Sequence, residues 1–192
     1  MAEWDKHPDR PFLLNVGGRV ATIGEQQLRE LIDKHAAAMS LYARLWCHAP
    51  DDIVQESLIA LIQADPAPSN PLPWTYAVIR RKGLNLARAE RRRNRHHRAA
   101  MDLREQWFVS PSNAAPAINL ETCLKQLPAI DREIVVARIW GDLTFQQIAE
   151  LVGRPLSSVN RRYRRALRRL EEIITSSNHD RSTPDEQRTP IG

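Results

Sequence analysis

The sequence predicts an all-α fold of two small helical domains joined by a flexible linker, and three features indicate this fold class. Apolar residues recur at helical spacing along most of the chain. The 192 residues contain 7 glycines and no alternating valine-rich run that would indicate a β-strand. Two basic helical segments are separated by a stretch rich in proline, serine and alanine. The predicted parts are an N-terminal extension, a first domain, a linker, a second domain and a disordered tail, at residues 1–22, 23–95, 96–118, 119–175 and 176–192, respectively.

The first domain is predicted to begin with two amphipathic helices. Residues 25–46 place apolar side chains on one face at helical spacing, and Pro50 follows the end of that pattern. Asp52 and Gln55 have the spacing of a capping box, in which each side chain binds a backbone amide at the other position. The second helix is therefore predicted to begin at this box and to end near Gln63. Its predicted apolar face consists of Val54, Leu58, Leu61 and Ile62.

A proline-rich loop and a basic helix complete the first domain. Residues 64–73 hold four prolines, which exclude a continuous helix and predict an exposed loop. Helical residues return over 74–95, where Trp74 and Tyr76 lie among arginines. Rings interleaved with arginines suit single-stranded nucleic acid, because bases stack on the rings while guanidinium groups contact phosphates. The arginine-rich end at residues 91–98 is interpreted instead as a solvated helix end that frays into the linker.

The second domain is predicted to end in a helix-turn-helix. Thr144 and Gln147 form another capping box, so a short helix begins near Phe145. Gly153 suits the left-handed conformation that ends a helix, and Pro155 suits the first turn of the next one. Two helices joined by so short a turn form a helix-turn-helix. Two shorter helices are predicted before it, at residues 120–127 and 128–139.

The second helix of this motif carries a strongly basic face. Seven arginines and no acidic residue lie between Arg154 and Arg169. An apolar stripe at helical spacing is predicted to pack on the rest of the domain, and it consists of Val159, Tyr163, Ala166, Leu167, Leu170 and Ile174. A solvated helix face normally mixes charges of both signs, so we interpret the arginine face as a surface for a polyanion. Short polar residues at the helix N-terminus lie where such helices read base edges in the major groove.

Composition favours nucleic acid as a partner and argues against several other classes. The net charge of +5 favours an anionic partner. No apolar run is long enough to cross a membrane, and the first residues lack the apolar core of a signal peptide, so we expect a cytoplasmic protein without membrane contact. Cys47 and Cys123 belong to no metal-binding pattern, and no cofactor or metal is expected. The sequence has no clustered carboxylates, Ser/His pair or glycine-rich phosphate loop, so an enzyme is disfavoured.

The motifs, taken together and in this order, resemble the extracytoplasmic-function (ECF) group of bacterial sigma factors in the sigma-70 family, over residues 25–174. Asp52-Ile53-Val54-Gln55-Glu56 is similar to the DxVQE helix of that group. Trp74-Thr75-Tyr76 followed by Arg80 is similar to its WLYxIAR helix. The second-domain pattern of the group is matched by Leu127-Pro128, Gly141, Ile148-Ala149, Gly153, Val159, Arg165-Ala166 and Leu170. The chain departs from the group at Leu58 and Arg81, where an aromatic residue and an asparagine are usual.

The resemblance implies a function and a set of contact residues. A sigma factor binds bacterial core RNA polymerase and directs promoter recognition, melting of the −10 element and transcription initiation, and an anti-sigma factor commonly holds members of the group inactive. The first domain then corresponds to sigma region 2 and the second to sigma region 4. Residues assigned to core polymerase are Asp51, Asp52, Gln55 and Glu56. Residues assigned to the −10 DNA are Asn70, Trp74, Tyr76, Arg80, Arg81 and Arg88. Residues assigned to the −35 DNA are Arg154, Ser157, Ser158, Asn160, Arg161, Arg162, Arg164, Arg165 and Arg168.

Three other functions compete with a sigma factor. The first is a helix-turn-helix regulator that binds DNA but never acts as a polymerase subunit, which would leave the motifs of the first domain without a purpose. The others are a nucleic-acid enzyme and a non-catalytic RNA-binding adaptor. Transcription that depends on the added protein, with core enzyme alone silent, would separate a sigma factor from the regulator. Stronger competition by RNA than by promoter DNA would indicate the adaptor.

Overall fold

The structure, a computed structural model, describes residues 22–97 and 120–179 of a chain that divides into two units, 1–108 and 109–192. These described residues form seven helices and no strand, which confirms the predicted all-α fold. The first unit contains α1 (Glu25–Ala43), α2 (Pro50–Ile62) and α3 (Pro71–His97). The second contains α4 (Leu120–Lys125), α5 (Ala129–Ile139), α6 (Phe145–Val152) and α7 (Leu156–His179). Nearly all of the predicted N-terminal extension and linker and most of the predicted tail lie outside the described residues.

The three helices of the first unit pack against one another in every pairing. Tyr42 of α1 lies at the centre of this bundle with no exposed surface. Its ring meets those of Trp46 and Tyr76 edge to face, with centroids 4.8 Å and 4.9 Å apart. Such aromatic pairs add to the stability gained from burial. The other fully buried large side chains of this unit include Met39, Leu61 and Ile79.

Proline determines where two helices of the first unit begin, and both beginnings differ from the prediction. α2 starts at Pro50 after an Ala49 cap that makes no side-chain hydrogen bond, so the predicted capping box at Asp52 is wrong. α3 starts at Pro71, within the predicted loop, so the loop ends at Asn70. Proline is favoured at the first position of a helix because the N–H it lacks would have no partner there. α1 is also shorter than predicted, since residues 44–46 form a turn.

A close approach between α3 and the turn after α1 makes Gly83 hard to replace. A Cβ added at Gly83 would lie 3.0 Å from both Cβ and Cε3 of Trp46. We expect Gly83→Leu to lower the free energy of unfolding by about 1–3 kcal/mol through overpacking, despite the better helix propensity of leucine. Urea unfolding followed by circular dichroism measures this change. Asn85→Leu, at an exposed position of the same helix, is the control, and equal stability of the two variants would contradict the prediction.

The second unit places α7 against the other helices through a continuous apolar core. Its fully buried side chains include Ile134 and Val135 of α5, Ile148 of α6 and Val159 of α7. α5 and α6 are joined by a short turn in which Asp142 adopts φ 54°, a left-handed conformation that aspartate tolerates better than most residues. α7 contacts α4, α5 and α6, so the core fixes the buried side of this helix.

The helix-turn-helix is confirmed in its local detail. Thr144 Oγ1 accepts a hydrogen bond from the Gln147 backbone N–H at 3.2 Å, and Gln147 Oε1 accepts one from the Thr144 backbone N–H at 2.8 Å. Gly153 ends α6 in the left-handed conformation, with φ 65°. Pro155 precedes α7 rather than lying in its first turn, and its carbonyl accepts from the Val159 backbone N–H at 3.1 Å. α7 continues to His179, beyond the predicted end of the domain at residue 175.

Neither residues 22–97 nor residues 120–179 contain a helix long and apolar enough to cross a membrane.

Candidate nucleic-acid interface

The N-terminal half of α7 presents a basic face to solvent. Val159, Ala166 and Leu170 are buried, so the opposite side of the helix is left exposed. That side forms a shallow depression, and the residues lining it are Ser157, Asn160, Arg161, Arg164, Leu167 and Arg168. Within the described chain, no acidic side chain lies within ion-pairing distance of its three arginines, whose cationic groups are therefore available to an anionic ligand.

The contact between α6 and α7 keeps this face in a fixed orientation. The Phe145 and Tyr163 rings meet edge to face with centroids 5.1 Å apart. The Arg138 guanidinium lies over the Phe145 ring at 5.2 Å and also donates a hydrogen bond to the Leu143 carbonyl at 2.9 Å. This cation–π contact and hydrogen bond tie α5, the turn and α6 to one another. α7 therefore rests on a preformed support.

Two of the arginines predicted to contact DNA are held by an acid of the core. Asp131 accepts hydrogen bonds from Arg162 at 2.8 Å and from Arg165 at 2.6 Å. The Arg162 side chain is only 25% exposed and Asp131 holds its guanidinium group, which disfavours its assignment to the −35 DNA. Arg165 keeps 58% of its side-chain surface exposed and stays in the candidate set. The predicted set missed Asp131, because the sequence gives no local sign that an acid on α5 meets arginines on α7.

The apolar stripe of α7 differs from the prediction at two positions. Leu167 is exposed and lines the basic depression, although the helical spacing placed it among the packing residues. Ile173, rather than Ile174, takes the last buried position of the stripe. The stripe is therefore narrower than predicted, and more of the helix circumference faces solvent.

The short polar residues at the start of α7 remain accessible. Ser157 is exposed, Ser158 is half-buried, and Arg154 is exposed in the turn before the helix. Asn160 donates a hydrogen bond from Nδ2 to the Leu156 carbonyl at 3.0 Å, and its side chain lines the same depression as Arg161. One amide donor of Asn160 is thus engaged within the helix, while the side chain still borders the surface that would face a base edge.

A second candidate nucleic-acid surface lies at the start and along the exposed side of α3. Asn70 is exposed just before the helix, and the Trp74 backbone N–H donates to the Asn70 carbonyl at 3.4 Å, so the two residues lie close together. Trp74 and Arg80 are half-buried, while Arg81 and Arg88 are exposed. The helix also includes Arg91, Arg92 and Arg93, which had been interpreted as a fraying end.

Tyr76 is the clear error in the predicted −10 set. Its side chain is 0% exposed and its ring contacts that of Tyr42 in the core of the first unit. A ring in this position cannot stack on a base without unfolding the bundle. The weak periodicity of this helix did not reveal which of its aromatic residues faces inward.

The four residues assigned to core polymerase all lie exposed on α2. Ser40 Oγ donates to Asp51 Oδ1 at 2.8 Å, and Lys82 Nζ pairs with Glu56 Oε2 at 2.5 Å. These contacts fix two of the carboxylates without burying them. The acidic edge of α2 is thus joined by side-chain contacts to both α1 and α3.

Two isoleucines extend this acidic edge toward the C-terminal end of α2. Ile59 is 51% exposed and Ile62 is 47% exposed. With Asp52 and Gln55 they follow the helical spacing of a single face, acidic at one end and apolar at the other. Ile59 was not among the predicted contact residues, and the predicted place of Ile62 on the buried face is wrong. We call Asp52, Gln55, Glu56, Ile59 and Ile62 the α2 face.

The cysteines and acids show no metal-binding arrangement within the described parts of the chain. No group of three or more His, Cys, Asp or Glu side chains that could hold a metal occurs among these residues. Cys47 is half-buried, and its Sγ contacts the Ala43 carbonyl at 3.4 Å. Burial raises the pKa of the Cys47 thiol, and the carboxylates of Asp52 and Asp51 raise this pKa further. The thiol therefore stays protonated near neutral pH, a form that is a poor nucleophile and a poor metal ligand.

Comparisons with known proteins agree with the geometry of the second unit. Residues 117–170 match the family described as sigma-70, region 4, a match that spans α4, α5, α6 and the first half of α7. An ECF RNA polymerase sigma factor, SigK of Mycobacterium ulcerans, is 23% identical over 164 residues, 83% of this chain and 81% of that protein. The RNA polymerase sigma factor SigV of Bacillus subtilis is 26% identical over 129 residues, 65% of this chain and 75% of that protein.

Two solved structures have a similar fold. The sigma factor RpoE, in complex with the anti-sigma factor NepR from Bartonella quintana, aligns with a TM-score of 0.63 at 18% identity, over 79% of this chain and 98% of RpoE. CnrH, in complex with the cytosolic domain of CnrY, aligns with a TM-score of 0.50 at 21% identity, over 80% of this chain and 90% of CnrH. At these identities the alignments establish the fold alone.

Proposed function

We propose that this chain is an ECF sigma factor of the sigma-70 family, which directs bacterial core RNA polymerase to promoters and starts transcription there. The family match and the two relatives support this proposal. The observation that carries the proposal is that the sigma-70 region 4 match ends on the half of α7 that forms the exposed basic depression. A helix-turn-helix reads DNA by placing such a helix in the major groove. The family, the fold and the charge therefore lead to the same function.

The α2 face is proposed as the docking surface for core polymerase. Its carboxylates suit a basic surface on the partner, and its exposed isoleucines supply apolar area next to these charges. An apolar centre with charges at its rim is the usual composition of a specific protein interface. Asp51 belongs to the rim, since its carboxylate is already held by Ser40. The first unit then has the role of sigma region 2.

The start of α3 is proposed as the site that captures an unpaired base of the −10 element. Extruding a base costs a few kcal/mol, which stacking on Trp74 and a hydrogen bond to Asn70 would offset. The exposed arginines of α3 would contact the phosphates of the melted strand. Tyr76 contributes only to the core that holds this helix in place.

A fluorescent base tests the capture of the −10 strand. We expect 2-aminopurine, placed next to the captured base in the non-template strand, to become brighter when holoenzyme with the natural chain melts the promoter, because the extruded base no longer stacks on the probe. Trp74→Ala should lose most of this signal, since it removes the stacking platform. Leu86→Ala is the control, because it removes an exposed apolar side chain from the same helix. A signal that stays quenched with the natural chain would contradict base capture.

The basic depression of α7 is proposed to bind the −35 element. Ser157, Asn160 and Arg161 lie toward the N-terminal end of the helix, where base edges are read. Residues proposed to contact phosphates are Arg154, Arg164, Arg165 and Arg168. Contacts with base edges set the choice of sequence, while contacts with phosphates set the affinity and its salt dependence. The second unit then has the role of sigma region 4.

The chain is proposed to act as a non-enzymatic subunit of the cytoplasmic transcription machinery that uses no cofactor of its own. Because RpoE is described in complex with the anti-sigma factor NepR, we extend an anti-sigma partner to this chain as well. Such a partner would keep the α2 face or the α7 face from its target until it is released.

Binding to core polymerase is the direct test of this function. We expect the labelled chain to bind purified bacterial core RNA polymerase in the nanomolar range, on the order of −12 kcal/mol. Transcription from a cognate promoter should require the added chain, with core enzyme alone silent. DNA binding without any affinity for core polymerase would instead establish the alternative, a helix-turn-helix regulator that is not a polymerase subunit.

A further inference from the structure

One buried acid joins two successive turns of α7 to the core of the second unit. Asp131 lies in the first turn of α5, and its side chain is 2% exposed. One carboxylate oxygen binds Arg162 at 2.8 Å, and the other binds Arg165 at 2.6 Å. Because these two arginines are spaced by nearly one helical turn, the carboxylate constrains both the axial position and the rotation of α7.

The chemistry of this contact makes it directional as well as strong. Hydrogen bonds between guanidinium and carboxylate groups are shorter and stronger than neutral ones. Removing one member of a buried ion pair leaves an uncompensated buried charge. Breaking the contact between Asp131 and these arginines would therefore cost free energy. Asp131 compensates the charge of Arg162, whose Nε is buried and has no hydrogen-bond partner among the described residues. The two ion pairs of Asp131 therefore form a rigid joint between α5 and α7.

We infer that Asp131 is a positioning residue that sets the register of α7 in the DNA major groove and thereby the choice of −35 sequence. The inference rests on the proposed role of α7 in reading DNA. Arg165 is more than half exposed, so it can contact a phosphate while Asp131 holds it in one conformation. Arg162 anchors the helix without contacting DNA. Arg161, Arg164 and Arg168 lie on the same rigid helix, so the joint also fixes where their guanidinium groups meet the groove.

The sign of one charge-removing substitution distinguishes positioning from simple electrostatics. Asp131→Asn raises the net charge by one, which alone would strengthen binding to DNA. We expect the opposite: affinity for the selected −35 duplex falls by about tenfold, comparable to one lost contact, and the sequence preference broadens. Asp142→Asn is the matched control, because it removes an exposed acid from the same unit and asparagine also tolerates its positive φ. Equal affinity and equal preference of the two variants would overturn the inference.

A second pair of variants tests the joint if Asp131→Asn loses helical content by circular dichroism. Arg162→Gln should broaden the sequence preference while leaving the slope of log affinity against log salt unchanged, because this side chain does not contact phosphate. Arg164→Gln, which removes the same charge from the exposed face, should reduce that slope by about one. An Arg162→Gln chain that selects the natural sequence as sharply as before would overturn the role of the joint.

The selections use the full chain and a duplex pool with a randomised −35 segment, both with and without bacterial core polymerase. Affinity for core polymerase is measured separately by fluorescence anisotropy. A chain that fails to bind polymerase but still selects DNA would disprove the sigma function. The DNA selections with the Asp131 and Arg162 variants would then still test the positioning role. A natural chain that enriches no sequence in either setting would overturn the positioning role of Asp131.

Discussion

Replacing both Asp52 and Glu56 with lysine is expected to weaken binding to core RNA polymerase by at least about 100-fold, because each reversal turns an attraction at the interface into a repulsion that costs several kcal/mol. Both side chains are exposed, so the helical bundle of the first unit should survive the substitution. Fluorescence anisotropy of the labelled chain, titrated with core polymerase, measures the loss. DNA selection by α7 should remain unchanged, because the substitutions lie in the other unit.

Two controls separate docking from other consequences of this substitution. Glu25→Lys with Glu30→Lys makes the same change in net charge at exposed positions of α1 and should leave polymerase binding nearly unaltered. Lys82→Gln removes the ion pair with Glu56 but keeps both acids, so it should also retain binding. If the α1 variant loses as much affinity as the α2 variant, the interaction depends on overall charge and the α2 face is not the docking surface.

The apolar end of the α2 face is also expected to contribute to binding of core polymerase. Ile59→Ala with Ile62→Ala should weaken polymerase binding by about tenfold or more, since an apolar anchor at an interface is worth at least about 1 kcal/mol. Because both side chains are about half exposed in the free chain, at 51% and 47%, their truncation should change the stability of the bundle little. A loss of stability that matches the loss of affinity would show that these residues belong to the core instead.

The second unit was predictable from sequence because its signals are local. A capping box, a glycine that must adopt positive φ and an apolar stripe each specify a few consecutive residues, and Thr144, Gln147 and Gly153 fulfil these roles in the structure. Consistency among local signals of this kind is what allows a sequence to specify one structure. The capping-box spacing was a misleading signal at Asp52, because this residue lies inside a helix that begins at Pro50.

Contact residues were harder to predict because exposure depends on tertiary partners. Tyr76 and Trp74 lie two positions apart in one helix, and only the packing of α1 shows that Tyr76 is the buried ring. Arg162 lies in the same arginine-rich sequence as the exposed arginines of α7, yet its ion pair with Asp131 keeps most of its side chain buried. Ile59 is exposed although its chemistry favours burial. Helical spacing defines faces, but the position of the neighbouring helices decides which face is covered.

A triple substitution of Arg161, Arg164 and Arg168 with glutamine is expected to abolish useful binding to the −35 element. Each lost contact costs roughly 1–3 kcal/mol, so affinity for the selected duplex should fall by about 100-fold or more at physiological salt. The three side chains line one depression and have no acidic partner among residues 120–179, so their removal should leave the fold intact. Electrophoretic or anisotropy titrations at several salt concentrations measure both the affinity and its salt dependence.

The salt dependence determines whether these arginines act at the DNA or only through overall charge. Because Arg164 and Arg168 are proposed to contact phosphates, the slope of log affinity against log salt should become shallower by about 1.8, from a slope of about −0.9 per neutralised phosphate. Arg29→Gln and Lys34→Gln in α1, with Arg44→Gln in the turn that follows it, together remove the same charge from exposed positions and should leave this slope nearly unchanged. A shallower slope in the α1 variant too would mean that DNA responds to the net charge of the chain. Because counterion release counts only phosphates contacted locally, a change confined to the α7 variant would place the DNA backbone on this helix face.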